Sequence, residues 1–210
     1  MTTASTGSEQ WAATWERALP VLAVVGPASW FVAALIRAAG VGTLEGDLDW
    51  ISRPEGFVMV LGVPFFVATF LLMGRVVAQQ APRTGVAVTA FGLFGIAAAG
   101  ILAGIRLFMG QFTDAGLDPA TLNVAFETTS VWDLGFFLSS VGWFVSWLIA
   151  AIVILKTGVA PRWVGACFVA GIAAIVTAQA LYIALPVFWP LGTGLLTIGV
   201  VGLVRPDRPD

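Results

Sequence analysis

Glu55 and Asp133 each stand at the head of an apolar run, ten residues before an aromatic pair: Phe65-Phe66 in one case, Trp143-Phe144 in the other. Ionisable groups inside apolar spans are costly to bury and mark function by default. A carboxylic acid kept protonated by burial can act as a proton donor, and Trp and Phe faces attract cations. Helical spacing supports that arrangement. Asp133, Phe137, Ser140, Phe144 and Trp147 share one helical stripe, and Glu55, Met59, Gly62, Phe66 and Phe70 share another. Glu55 and Asp133 are the candidate acids, with Trp143, Phe144, Trp147, Phe66 and Phe137 as candidate walls of a cavity.

Partners for the acids come from other segments. Arg106 lies 23 residues after Arg83, a rise of about 34 Å in a helix, which carries it to the same level as Glu55. Arg37 ends the first apolar run at that level too, and Gln179 and Tyr182 lie three apart on one helical face. An outer-leaflet cluster of Glu55, Asp133, Arg106, Gln179 and Tyr182 is therefore expected. The competing reading is that the charges cap helices at the interface and reach water by snorkelling. Trp30, Trp50, Trp132 and Trp189 fit an interfacial aromatic belt, whereas Trp143 and Trp147 fall nearer mid-membrane.

The elements that position these residues follow from composition. Of 210 residues, 59% are apolar and 10% charged, and six apolar runs stand at 19–37, 56–78, 85–108, 132–155, 162–184 and 187–204. About 20 apolar residues in a helix cross the ~30 Å hydrocarbon layer, and a helix satisfies its own backbone hydrogen bonds there. The expectation is an all-α, polytopic membrane bundle: a tail at 1–18, six spans within 19–204, and a second tail at 205–210. Arg17, Arg75, Arg83, Lys156, Arg162, Arg205 and Arg208 fall on one side and Arg37, Arg53 and Arg106 on the other. By the positive-inside rule both termini are cytoplasmic.

Absences narrow the chemistry. The chain has no His and one Cys, Cys167, so His-held haem, zinc or copper and intrachain disulfides are excluded. Its one lysine, Lys156, stands at a helix end and cannot carry a mid-membrane Schiff base. There is no phosphate-cradling GxxxxGK[ST] loop and no basic nucleic-acid patch. No metal site and no cofactor are expected. The acids at 45–49 and 114–118 read as solvated loops, with Asp118-Pro119 an N-cap followed by proline at the first helical position.

Ala81-Pro82-Arg83 recurs as Ala160-Pro161-Arg162. With the acid-to-aromatic spacing, this suggests that spans two plus three and four plus five form a parallel repeat. Gly100 and Gly104 form a GxxxG pattern expected at a close helix crossing. Pro27, Pro64 and Pro190 are expected to kink spans and free carbonyls.

The turn Thr157-Gly158-Val159-Ala160-Pro161-Arg162-Trp163-Val164-Gly165 resembles the "SGxxPRWLGW" turn of an uncharacterised group of six-helix bacterial membrane proteins. Ala166 departs from that pattern, where the group often has Trp. The resemblance implies the six-helix fold and a bacterial cytoplasmic membrane. In size, helix content and aromatic abundance the chain also resembles small membrane terpene cyclases, which implies an isoprenoid-like substrate and acid-initiated cyclisation without a cofactor. Two other functions stay open. One is a carrier or resistance protein for an apolar compound, and the other is an accessory subunit whose partner is another membrane protein or a second copy. The lipid bilayer is the surrounding in all three, and the first two need a hydrophobic small molecule in an outer-leaflet cavity.

Overall fold

Apolar runs separated by Gly- and Pro-containing turns become six long helices: α1 (Gly7–Ala38), α2 (Arg53–Ala78), α3 (Pro82–Asp114), α4 (Ser130–Thr157), α5 (Arg162–Ala180) and α6 (Leu185–Val204). The computed structural model describes residues 7–43, 52–118, 120–122, 124, 130–181 and 185–204; at 7–10, 130–136, 139 and 185–186 only the backbone is described. Each of the six helices is long and apolar enough to cross a membrane. Successive helices pack side by side, and α6 returns against α1 to close the ring. The start of α1 and the end of α6 lie at one end of the bundle, and Arg37, Glu55 and Arg106 lie at the other.

The helices overrun the apolar runs at several ends. Stacking of Trp11 on Trp15, with centroids 6.0 Å apart, accompanies the early start of α1. At the far end, α3 continues to Asp114, which pairs with Arg53 at 2.7 Å. Both side chains are substantially exposed, so this rim pair contributes at most ~1 kcal/mol. Beyond it, Asp118 caps a short helical turn: its Oδ2 accepts from Thr121 Oγ1 at 2.9 Å and from Thr121 N at 3.0 Å. Those two bonds, the hydroxyl first, hold the Asp118 carboxyl below the usual carboxylate range. A carboxyl lowered in the folded state supports its cap above the unfolded value, and the cap is lost as pH falls through the folded one. In an acid titration followed by NMR, the Thr121 amide should shift below the ordinary Asp range, and Asp118→Asn should abolish that shift.

Interhelical crossings are set by small residues and hydroxyls. A Cβ built on Gly142 would lie 2.7 Å from the Gly95 nitrogen and 2.8 Å from the Phe91 oxygen, so α3 and α4 meet backbone to backbone. The GxxxG expectation is corrected here. Around Gly104 nothing lies within 4 Å of a built Cβ, and at Gly100 the nearest atoms belong to the Val63 side chain on α2 rather than to a helix backbone. Pro27 leaves the Ala23 carbonyl without its intrahelical donor. Thr69 Oγ1 on α2 donates to it at 2.6 Å, so the freed carbonyl ties two helices together instead of lining a cavity. Thr69→Val should reduce unfolding free energy by about 0.6–1.7 kcal/mol, the range for hydrogen bonds between membrane helices, measured by reversible unfolding in mixed micelles.

Ser146 Oγ likewise donates to the Val88 carbonyl at 2.7 Å. Beneath these ties, the bundle centre is filled by rings. Trp30, Phe66, Phe70, Trp143, Trp147 and Phe168 are all buried, with contacting ring centroids 4.7–6.4 Å apart. Trp30 is therefore no belt residue. It is 6% exposed, stacks on Trp143 at 5.8 Å, and donates its indole N–H to the Met59 carbonyl at 3.3 Å. Alternation on α1 explains this, since Leu19, Ala23, Trp30 and Ala33 form one buried stripe.

Candidate functional site

The far end of the bundle carries a buried charge cluster whose members are placed by two helix ends. α1 stops at a left-handed glycine: Gly40 has φ 66°, its N–H bonds the Arg37 carbonyl at 2.9 Å, and the Val41 N–H bonds the Ile36 carbonyl at 3.2 Å. This is a Schellman closure, and it turns the chain back across the bundle end. The Val41 carbonyl then accepts from Ser52 Oγ at 2.7 Å. Ser52 is the N-cap of α2, and its hydroxyl accepts from the Glu55 N–H at 3.4 Å. Ser52 and Glu55 have capping-box spacing. The carboxylate, however, turns into the bundle.

There Glu55 is 1% exposed. Arg106 Nη1 donates to its Oε1 at 2.6 Å, and Arg37 Nη1 stands 3.6 Å from its Oε2. Arg106 Nη1 also lies 3.8 Å from the Met59 sulfur. Oε2 is buried without a hydrogen-bond donor, because 3.6 Å is an ionic contact and too long for a hydrogen bond. Three helices thus meet at one carboxylate: α1 through Arg37, α2 through Glu55 and α3 through Arg106. Below it the α2 stripe of Met59, Gly62, Phe66 and Phe70 is buried along its length, and it runs into the ring core.

The other expected site residues are distributed differently. Trp143, Trp147 and Phe66 pack against one another's neighbours within the core, and Phe144 is half-buried beside Trp143, with centroids 5.2 Å apart. Phe137 is 62% exposed and does not continue the α4 column inward. The buried face of α4 is Trp143, Ser146, Trp147, Ala150, Ala151 and Ile154; it keeps Trp147 of the expected stripe but centres on Trp143 in place of Phe144 and Phe137. Gln179 is half-buried on α5, a helix that packs on α4 and α6, across the ring from α2. Asp133 lies in the first turns of α4 with its side chain outside the described residues, and Tyr182, Glu45, Asp47, Asp49 and Trp50 lie outside them entirely.

Arg37 had been placed at the right level by its helix, yet its approach to Glu55 depends on the turn at Gly40, whose closure adds no charge or motif signal. Ser52 was missed although the Ser-Arg-Pro-Glu order at 52–55 spells a cap. Chemically, the cluster can hold three helices in register and offers one unsatisfied carboxylate oxygen. Among the described residues no group of His, Cys, Asp and Glu is placed to hold a metal ion. No protein-family model, no curated protein and no solved structure matches the chain.

Proposed function

We propose that the protein is an accessory subunit of a bacterial cytoplasmic membrane, with both termini inside, which works by presenting the outward face of α3 to another membrane protein. The observation that carries this reading is Gly104. Among the helical glycines whose surroundings are described, it alone has nothing within 4 Å of a built Cβ, and the others sit at contacts within the chain. Ala97, Ile101, Gly104 and Phe108 follow one another along a single helical face, and Ile101 and Phe108 are among the exposed large apolar residues. In lipid, where apolar burial gives no drive to associate, a small residue that lets backbones approach is what a helix partner exploits. The ring core and the Glu55 cluster suit the same role, because they make the bundle a rigid platform. Photo-crosslinkers at Phe94, Ile101 and Phe108 in native membranes test it. The expected result is one protein adduct of the same mass from all three positions, lost in Gly104→Leu. Adducts with lipid alone would contradict it.

A second reading, an enzyme or binder of a lipid-soluble isoprenoid-like molecule, is favoured by three buried polar atoms. Glu55 Oε2 and the indole nitrogens of Trp143 and Trp147 have no hydrogen-bond partner; a ligand hydroxyl could donate to the carboxylate, and a ligand hydroxyl or carbonyl oxygen could accept from the indoles. In that reading Glu55 or Asp133 acts on the substrate. Its mark would be a Glu55→Gln, Asp133→Asn variant that remains folded and partner-bound yet loses turnover.

A further inference from the structure

The outer face of α1 carries a groove of about 580 Å³ lined by Pro20, Val21, Val24, Val25, Ala28, Ser29 and Val32, together with Val58 of α2 and Val204 of α6. The one hydroxyl in it, Ser29, is already tied to the Gly26 carbonyl at 2.6 Å. From Pro20 to Val32 the groove runs about 18 Å along the helix, slightly more than the ~15 Å hydrocarbon depth of one leaflet. It lies within a stretch long and apolar enough to span the membrane.

Its terminal end is marked by charge and by aromatic residues. At 100° per residue, Arg17 points within about 35° of the mean direction of the α1 groove residues, whereas Glu16 points about 135° away. Arg17 is exposed, and among the described residues it forms no ion pair. One turn further out, Trp11 and Trp15 stack at 6.0 Å, the pairing of aromatic residues with a cation that marks a headgroup interface. A cation at headgroup level above a one-leaflet apolar channel has the complement of a single amphiphile.

We propose that this groove is a specific site for one anionic glycerophospholipid, its phosphate on Arg17 and one acyl chain along Val21, Val24, Ala28 and Val32. The site is independent of the partner surface on α3. The test is native mass spectrometry of the full chain released from nanodiscs of equal phosphatidylglycerol and phosphatidylcholine. The expected spectrum shows one retained phosphatidylglycerol, reduced at least about fivefold in Arg17→Gln, with phosphatidylcholine little changed. Ala28→Trp, which fills the channel, should remove both lipids, and Arg83→Gln, a cation on another helix, should leave retention as in the wild type. Helical circular dichroism and thermal unfolding confirm that each variant is folded, and Val24→Phe serves as a second channel-filling variant. Equal retention of both lipids by the wild type, or retention unaffected by Arg17→Gln or by both filling variants, would overturn the proposal.

Discussion

Glu55→Ala is expected to lower the unfolding free energy by about 3–5 kcal/mol, the range for removing one partner of a buried ion pair. The loss is large because the arginines remain. Arg106 is bonded to the carboxylate at 2.6 Å and Arg37 stands at 3.6 Å, and without Glu55 both guanidinium groups lose that carboxylate near the end of a low-dielectric bundle. The cluster as a whole is weaker evidence for net stability, since desolvating three charges opposes their attraction. The expected pattern in reversible unfolding is therefore a severe single variant, with Glu55→Gln milder because it keeps an acceptor for Arg106. An Arg106→Met, Glu55→Leu pair should be less damaging than Glu55→Ala alone. Equal stability of Glu55→Ala and the wild type would mean the three side chains do not share a buried site.

The second large effect is expected at the α3–α4 crossing. Gly95→Leu should cost about 3 kcal/mol, at the upper end for overpacking, because the atoms it would strike belong to the α4 backbone at Gly142 and Trp143. A side chain can rotate aside, but a helix backbone must move as a body and would pull Trp143 and Trp147 out of the ring core. Gly104→Leu on the same helix is the control. With open space around its Cβ, it should be neutral or stabilising by up to ~1 kcal/mol from helix propensity. Thermal unfolding of the two variants side by side reads the contrast. Similar losses for both would show that α3 packs on another face.

What was legible in the sequence divides along physical lines. The six spans could be read because hydrocarbon thickness and backbone hydrogen bonding leave a chain of this composition few alternatives. The α2 stripe from Glu55 to Phe70 was legible for the same reason as any helical face: strict spacing with one buried side. Phase was harder on α4, which is apolar almost all round, so that no polar face marks Phe137 as outward and Trp143 as facing the core. Trp30 looked like a belt residue because Trp favours interfaces, but the small residues Ala23, Gly26 and Ala33 on its face marked a packed stripe. The close approach expected at Gly100 and Gly104 was misplaced because GxxxG names a pattern without naming which face its partner occupies, whereas Gly171 and Gly192 do meet backbone to backbone. Arg37 reached Glu55 through a turn whose geometry lies in one φ angle.

The account rests on Glu55 being bound to its arginines inside the bundle, and a double-mutant cycle with Glu55→Gln and Arg106→Gln measures that bond most directly. A coupling energy of at least about 1.5 kcal/mol is expected for contacting charged groups. Single effects that add within about 0.5 kcal/mol, the behaviour of independent sites, would contradict it.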